Sequence, residues 1–149
     1  MCLIVDANLS STLLGEKSDV RKWLLGQQGN PRLVVGGLLT LELRKLDHVR
    51  KFLVVLQQAG RLRQCHAESL EGELKKLGKQ KICTSNDLHV LALAIVSGAR
   101  TVATNDEALI RDFKNPKIMP SPRGKVYRKP SIHRKLLGHT PVSCGVKAK

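Results

Sequence analysis

Leu88-His89-Val90-Leu91-Ala92-Leu93-Ala94-Ile95-Val96 is followed by Ser97-Gly98-Ala99-Arg100 and then by Thr101-Val102-Ala103-Thr104-Asn105-Asp106. The first part is the strongest helix pattern of the chain, and the last is a β-prone run that stops at the polar pair Asn105-Asp106. The same alternation recurs on either side. Residues 2–5 are wholly apolar and end at Asp6, and Leu33-Val34-Val35 runs into Gly36-Gly37, so both read as buried strands. Arg61-Leu62-Arg63 alternates and reads as an edge strand, and Lys117-Ile118-Met119 is a further strand candidate between two prolines. Between these runs the apolar spacing is helical, at Val20, Trp23 and Leu24, at Val49, Phe52, Leu53 and Leu56, and along residues 67–77. In that last stretch acids at 68, 71 and 73 precede Lys75 and Lys76, an order that suits a helix dipole and a solvated face. Strands alternating with helices predict a three-layer α/β/α fold with a mainly parallel central sheet over residues 1–120.

The chain has 149 residues, the size of one domain, with 42% hydrophobic and 26% charged residues, which excludes wholesale disorder and a fibrous chain. No apolar run reaches the ~18 residues that a bilayer span needs. The start at Met1-Cys2-Leu3-Ile4-Val5 meets Asp6 without the regions of a signal peptide, so the expectation is a soluble, cytoplasmic protein. Net charge is +14, and residues 121–149 hold eight basic side chains and no acid, leaving +6 for the first 120. This segment, interrupted by Pro122, Gly124, Pro130, Gly138, Pro141 and Gly145, reads as a basic extension with at most a short strand at Val126 and a helical turn near Leu136 and Leu137. A polyanion is the partner such charge implies, with phosphate contacts from Arg123, Lys125, Arg128, Lys129, Arg134 and Lys135. One Trp, one Tyr and two Phe disfavour binding through many stacked bases, and the absence of a long amphipathic stripe disfavours a membrane surface. Cys2, Cys65, Cys83 and Cys144 have no zinc spacing; Cys2 and Cys83 read as buried, inert thiols in a reducing compartment.

Four carboxylates fall where packing does not ask for them. Asp6 and Asp106 follow strands, at the edge where open parallel sheets leave a ligand crevice, although an Asp there also caps the next helix. On a helical wheel Leu38, Leu39, Leu43 and Leu46 span an apolar arc of ~140°, and Glu42 falls at ~40° within it. Such a Glu needs a cation or donors to answer it. Asp87 opens the helix of residues 88–96 on its packed side, where Ser85 or Asn86 is a competing cap. His89 lies ~200° from Asp87 on that wheel and reads as structural or exposed. Four acids gathered in a basic protein repel one another unless a divalent cation neutralises them, and hard oxygen ligands suit Mg²⁺ or Mn²⁺. Such an ion activates water and stabilises charge on a phosphoryl oxygen. Gly36-Gly37 lacks the Gly-Lys-Ser/Thr pattern of a phosphate loop and reads as a turn into the helix that carries Glu42. His133 and His139, in the basic segment, read as solubilising or phosphate-contacting groups.

On Leu3-Ile4-Val5-Asp6-Ala7-Asn8, the helix with Glu42, the Asp87 to Ala94 run with Ser97-Gly98-Ala99, and residues 101–106, the chain resembles the PIN-domain nucleases, a family that includes VapC-type toxins. The resemblance covers roughly residues 3–119. It implies a metal-dependent endoribonuclease preferring single strands, with Asp6, Glu42, Asp87 and Asp106 at the positions of the metal-binding acids, and Asn8 and Thr104 at supporting polar positions. It also implies, for a toxin, an antitoxin protein and a homodimer as partners. Asp112 departs from the pattern, because Glu107 to Arg111 intervene before Asp112-Phe113; it is a fifth acid or a helix-end residue.

Two other classes compete. A non-catalytic RNA-binding or scaffold module with the same fold predicts salt-sensitive binding without turnover. A phosphoacceptor signalling domain also clusters acids at strand ends, but it needs adjacent acids after the first strand, and here Ala7 follows Asp6.

Overall fold

A computed structural model describes residues 2–26, 31–120 and 123–128. The elements, in chain order, are β1 (Cys2–Val5), α1 (Ala7–Leu13), α2 (Asp19–Leu25), β2 (Arg32–Gly36), α3 (Gly37–Leu43), α4 (Asp47–Gln58), β3 (Leu62–Cys65), α5 (Ala67–Gln80), α6 (Leu88–Ser97), β4 (Thr101–Ala103), α7 (Glu107–Lys114) and β5 (Lys125–Tyr127).

The strands form one five-stranded sheet in the order β3-β2-β1-β4-β5, with every pairing parallel. The chain steps outward from β1 to β2 and β3, then returns to β4 on the other side of β1. That reversal puts a topological switch point between β1 and β4. With this strand order, the right-handed rule for parallel crossovers assigns α1 to α4 to one face and α5 to α7 to the other, consistent with the three-layer α/β/α arrangement expected.

All four residues of β1 are buried, as are Leu33, Val34 and Val35 of β2, because a parallel sheet covered on both faces has no solvent side. Val90 to Ala94 of α6 are inaccessible over a full turn, so this helix is enclosed by the sheet and α5 rather than facing water on one side. Amphipathic α4 instead buries Val49, Phe52, Leu53 and Leu56, and the Arg21 guanidinium lies 4.2 Å from the Phe52 ring centroid. No helix of the described residues is long and apolar enough to cross a membrane.

The reading of residues 61–63 as an edge holds, since β3 borders the sheet. Lys117-Ile118-Met119 does not form a strand. Ile118 and Met119 are buried, but both their N–H groups donate to Asn115 O (3.0 and 2.8 Å), which closes a turn. An apolar pair between prolines fits a buried turn as well as a strand. The fifth strand is β5, around Val126, so the sheet draws its last member from the basic segment beyond Pro120. The expected turn near Leu136 and Leu137 lies outside the described residues. Cys2 is buried in β1 as expected, whereas Cys83, like Cys65, is free and only partly buried.

Candidate active site

Parallel strands all end on one edge, and at the switch point the crossovers diverge to opposite faces and leave a crevice. Asp6 directly follows β1 and Thr104 directly follows β4 at this place. The two are joined across it, because Asp6 N–H donates to Ala103 O (2.9 Å) and Thr104 Oγ1 donates to Asp6 Oδ2 (2.7 Å). Asp6 is 5% exposed and makes no side-chain cap to α1, so helix capping does not explain its carboxylate. Thr104 Oγ1 also accepts from Asp106 N–H (3.1 Å), which draws the third residue of the run into the same place. Asp106 does cap: its Oδ1 accepts from Ala108 N–H (3.0 Å) and Leu109 N–H (3.2 Å), which start α7. These bonds use only one of its two carboxylate oxygens.

Asp87 arrives at the N-cap of α6, with φ −93° and ψ 52° and no capping bond from its side chain. Its carboxyl is pushed above its ordinary value first by burial and then by the Asp6 carboxylate. Asp106 adds to the rise, and His89 opposes it. Asp6 and Asp106 therefore stand near enough to Asp87 for it to feel their charge.

Glu42 joins less directly. The apolar face of α3 is Leu39, Thr40 and Leu43, whereas Leu38 and Leu46 are exposed and Leu46 already belongs to the start of α4. The arc drawn from all four leucines is thus corrected: the helix ends at Leu43, and Glu42 sits at the border of its buried face. Its Oε1 accepts from His89 Nε2 (2.8 Å), a bond that ties α3 to α6. His89 therefore does not point away. The wheel angle counted Asp87 as helical, but its backbone is not, and Glu42 lies 47 residues distant, beyond any local signal.

The supporting residues divide. Thr104 is buried at the centre of the bonds just described, whereas Asn8 is exposed on the first turn of α1. Asp112 lies away from the crevice, in the last turn of α7, with its carboxylate on the backbone of Thr84 and Ser85. Of the residues read as phosphate contacts, Arg128 follows β5 at the crevice edge of the sheet and pairs with Glu107 (2.6 Å), while Arg123 and Lys125 lie at the other end of that strand. Lys129, Arg134 and Lys135, with His133 and His139, lie outside the described residues.

As placed, no three His, Cys, Asp or Glu side chains among the described residues close around one point. Mg²⁺ does not require such a cage, since it keeps several waters and uses one or two carboxylates together with substrate phosphate. The donor set of Asp6, Asp87 and Asp106 fits that demand in charge and hardness; burial first, and then the neighbouring carboxylates, raise the Asp87 carboxyl, and a divalent cation relieves the repulsive part. No family model, curated protein or solved structure matches the chain.

Proposed function

We propose that the chain is a cytoplasmic endoribonuclease of PIN-domain type that hydrolyses phosphodiester bonds of single-stranded RNA with Mg²⁺ or Mn²⁺. The observation that carries this reading is the approach of Asp6, Asp87 and Asp106 at the switch point of a parallel sheet, in a chain of net charge +14. Packing gives no reason to bring three acids together there, and none of the three has a structural use for its full carboxylate among the described residues.

When bound, the divalent ion supplies Lewis-acid stabilisation of the phosphoryl group and an activated water. Asp6, Asp87 and Asp106 hold it. Thr104 fixes the Asp6 carboxylate by donating to Oδ2, and the α7 cap fixes Asp106 by one oxygen. Glu42, oriented by His89 Nε2, is the remaining carboxylate and accepts a proton at the margin of the site. Basic side chains concentrated beyond Pro120 raise the local concentration of the polyanion.

The test is cutting of single-stranded RNA by the full chain with Mg²⁺, Mn²⁺ or chelator. Cleavage requires the metal and falls ~100-fold or more in Asp6→Asn and Asp106→Asn. Undiminished metal-dependent cleavage in both variants removes their roles, and salt-sensitive RNA binding without any turnover supports the non-catalytic module instead. As the toxin of a toxin–antitoxin pair, the chain also arrests growth when expressed alone; unimpaired growth removes that part of the reading.

A further inference from the structure

We propose that Asp112 is a positioning residue that fixes where Asp87 enters the crevice, by fastening the segment of residues 81–87 to α7. The inference rests on the reading of Asp87 as a site acid, and it concerns a residue that touches neither that acid nor the crevice.

Asp112 is 2% exposed, and no Lys or Arg pairs with it among the described residues. A buried carboxylate without a cation is costly unless donors replace its water. Two consecutive residues supply them all. Thr84 N–H donates to Oδ1 (2.9 Å) and Oδ2 (3.0 Å), the Thr84 hydroxyl donates to Oδ1 (2.9 Å), and Ser85 N–H donates to Oδ2 (2.7 Å). With both oxygens occupied, Asp112 has no part in holding an ion or substrate, which sets aside the fifth acid. Asp112 does stand at the helix end, in the last turn of α7, but its side chain serves a loop rather than its own helix.

That loop has no regular structure of its own. It begins at Lys81, whose φ of +52° ends α5, and runs to Asp87. Ser85, pinned through its N–H, turns its hydroxyl oxygen to accept Asp87 N–H (2.9 Å). The path from Asp112 to Asp87 is therefore two hydrogen bonds long. The same helix carries Asp106 at its N-cap, so α7 acts as a strut: one end holds a site acid, and the other fastens the loop that delivers a second. The separation of Asp87 and Asp106 is set by this strut and not only by the α6 and β4 chain between them.

The test combines amide hydrogen exchange by NMR on the full chain with Mn²⁺-dependent RNA cutting. Asp112→Asn turns an amide NH₂ toward N–H donors and lowers protection of the Thr84 and Ser85 amides ~10- to 100-fold. It also lowers cutting ~10- to 100-fold, as loss of an outer support does at metal sites. Ser85→Ala, which leaves the bonds to Asp112 intact and keeps the test open if Asp112→Asn does not fold, exposes the Asp87 amide and lowers cutting, with Thr84 still protected. Val49→Ala, in α4 on the other face, loosens the core but leaves cutting per folded molecule unchanged. The proposal is overturned if the Thr84 and Ser85 amides stay protected in Asp112→Asn, if Ser85→Ala leaves both the Asp87 amide and cutting as in the wild type, or if Val49→Ala lowers cutting per folded molecule as much as Asp112→Asn. If the wild type cuts no RNA, the nuclease reading fails, and the exchange measurements still decide the clamp.

Discussion

Asp87 illustrates how one side chain is held against its own preference. Burial and the Asp6 and Asp106 carboxylates keep its proton bound more tightly in the folded chain than in the unfolded one. The stability this contributes is fully present below the ordinary value of 3.8 and is lost as the pH rises through the raised folded value. At neutral pH and in chelator, Asp87→Asn is therefore expected to raise the melting temperature by roughly 1–3 °C. The gain shrinks on acidification toward the point where the wild-type carboxyl is protonated. A thermal melt at pH 7 and again near pH 4 checks both statements; a loss of stability at pH 7 contradicts them. Asp6, Asp87 and Asp106 stand out in the sequence because each follows a strand or opens a helix, whereas Glu42 stands out from an apolar arc that the end of α3 at Leu43 corrects. His89 does not, because its partner Glu42 is distant in the chain and Asp87, the reference for its direction, is not helical.

Among the elements, two junctions govern how the site is framed. The step from β2 into α3 has no loop: Gly36 ends the strand and Gly37, at φ +54°, starts the helix that carries Glu42. A Cβ on Gly36 meets Leu70 Cδ1 at 2.9 Å, Leu93 Cδ1 at 3.2 Å and Cys65 O at 3.2 Å. Gly36→Ala is expected to cost about 1–3 kcal/mol in urea unfolding, by overpacking where α5 and α6 meet the sheet. The pair Gly36-Gly37 was read as a turn into that helix, and the absence of a connecting loop is the extra fact that only packing reveals. At the far end of α6, buried Arg100 donates to the carbonyls of Ala94, Ala99 and Pro120, and burial pulls its guanidinium below the ordinary value. Arg100→Met removes the donors to Ala99 O and Pro120 O, while Ala94 O keeps the Gly98 N–H, and is expected to cost about 1–3 kcal/mol by the same measurement. A loss under ~0.5 kcal/mol shows that water replaces the guanidinium. The buried turn at Ile118 and Met119 went unread as such because an apolar pair carries no period; what decides it is the Asn115 carbonyl taking both amides.

For the molecule as a whole, strand order converts scattered acids into neighbours. Asp6 and Asp106 are a hundred residues apart in sequence and adjacent at the switch point because β1 pairs with β4. The alternation of strands and helices was enough to infer a parallel sheet and a crevice at its carboxyl edge. It did not give the strand order, nor that the short strand read at Val126 joins the sheet as β5, because both depend on long-range pairing. Nor did it give the clamp between α7 and residues 84–85, which joins residues 27 and 28 positions apart. The proposed chemistry requires that Asp6, Asp87 and Asp106 jointly hold a divalent ion. Mn²⁺ binding to the full chain, measured from the paramagnetic signal of the free ion, tests it directly. One ion per wild-type chain, weakened at least ~10-fold in Asp87→Asn, is the result predicted; equal Mn²⁺ binding by wild type and variant, or none by the wild type, contradicts it.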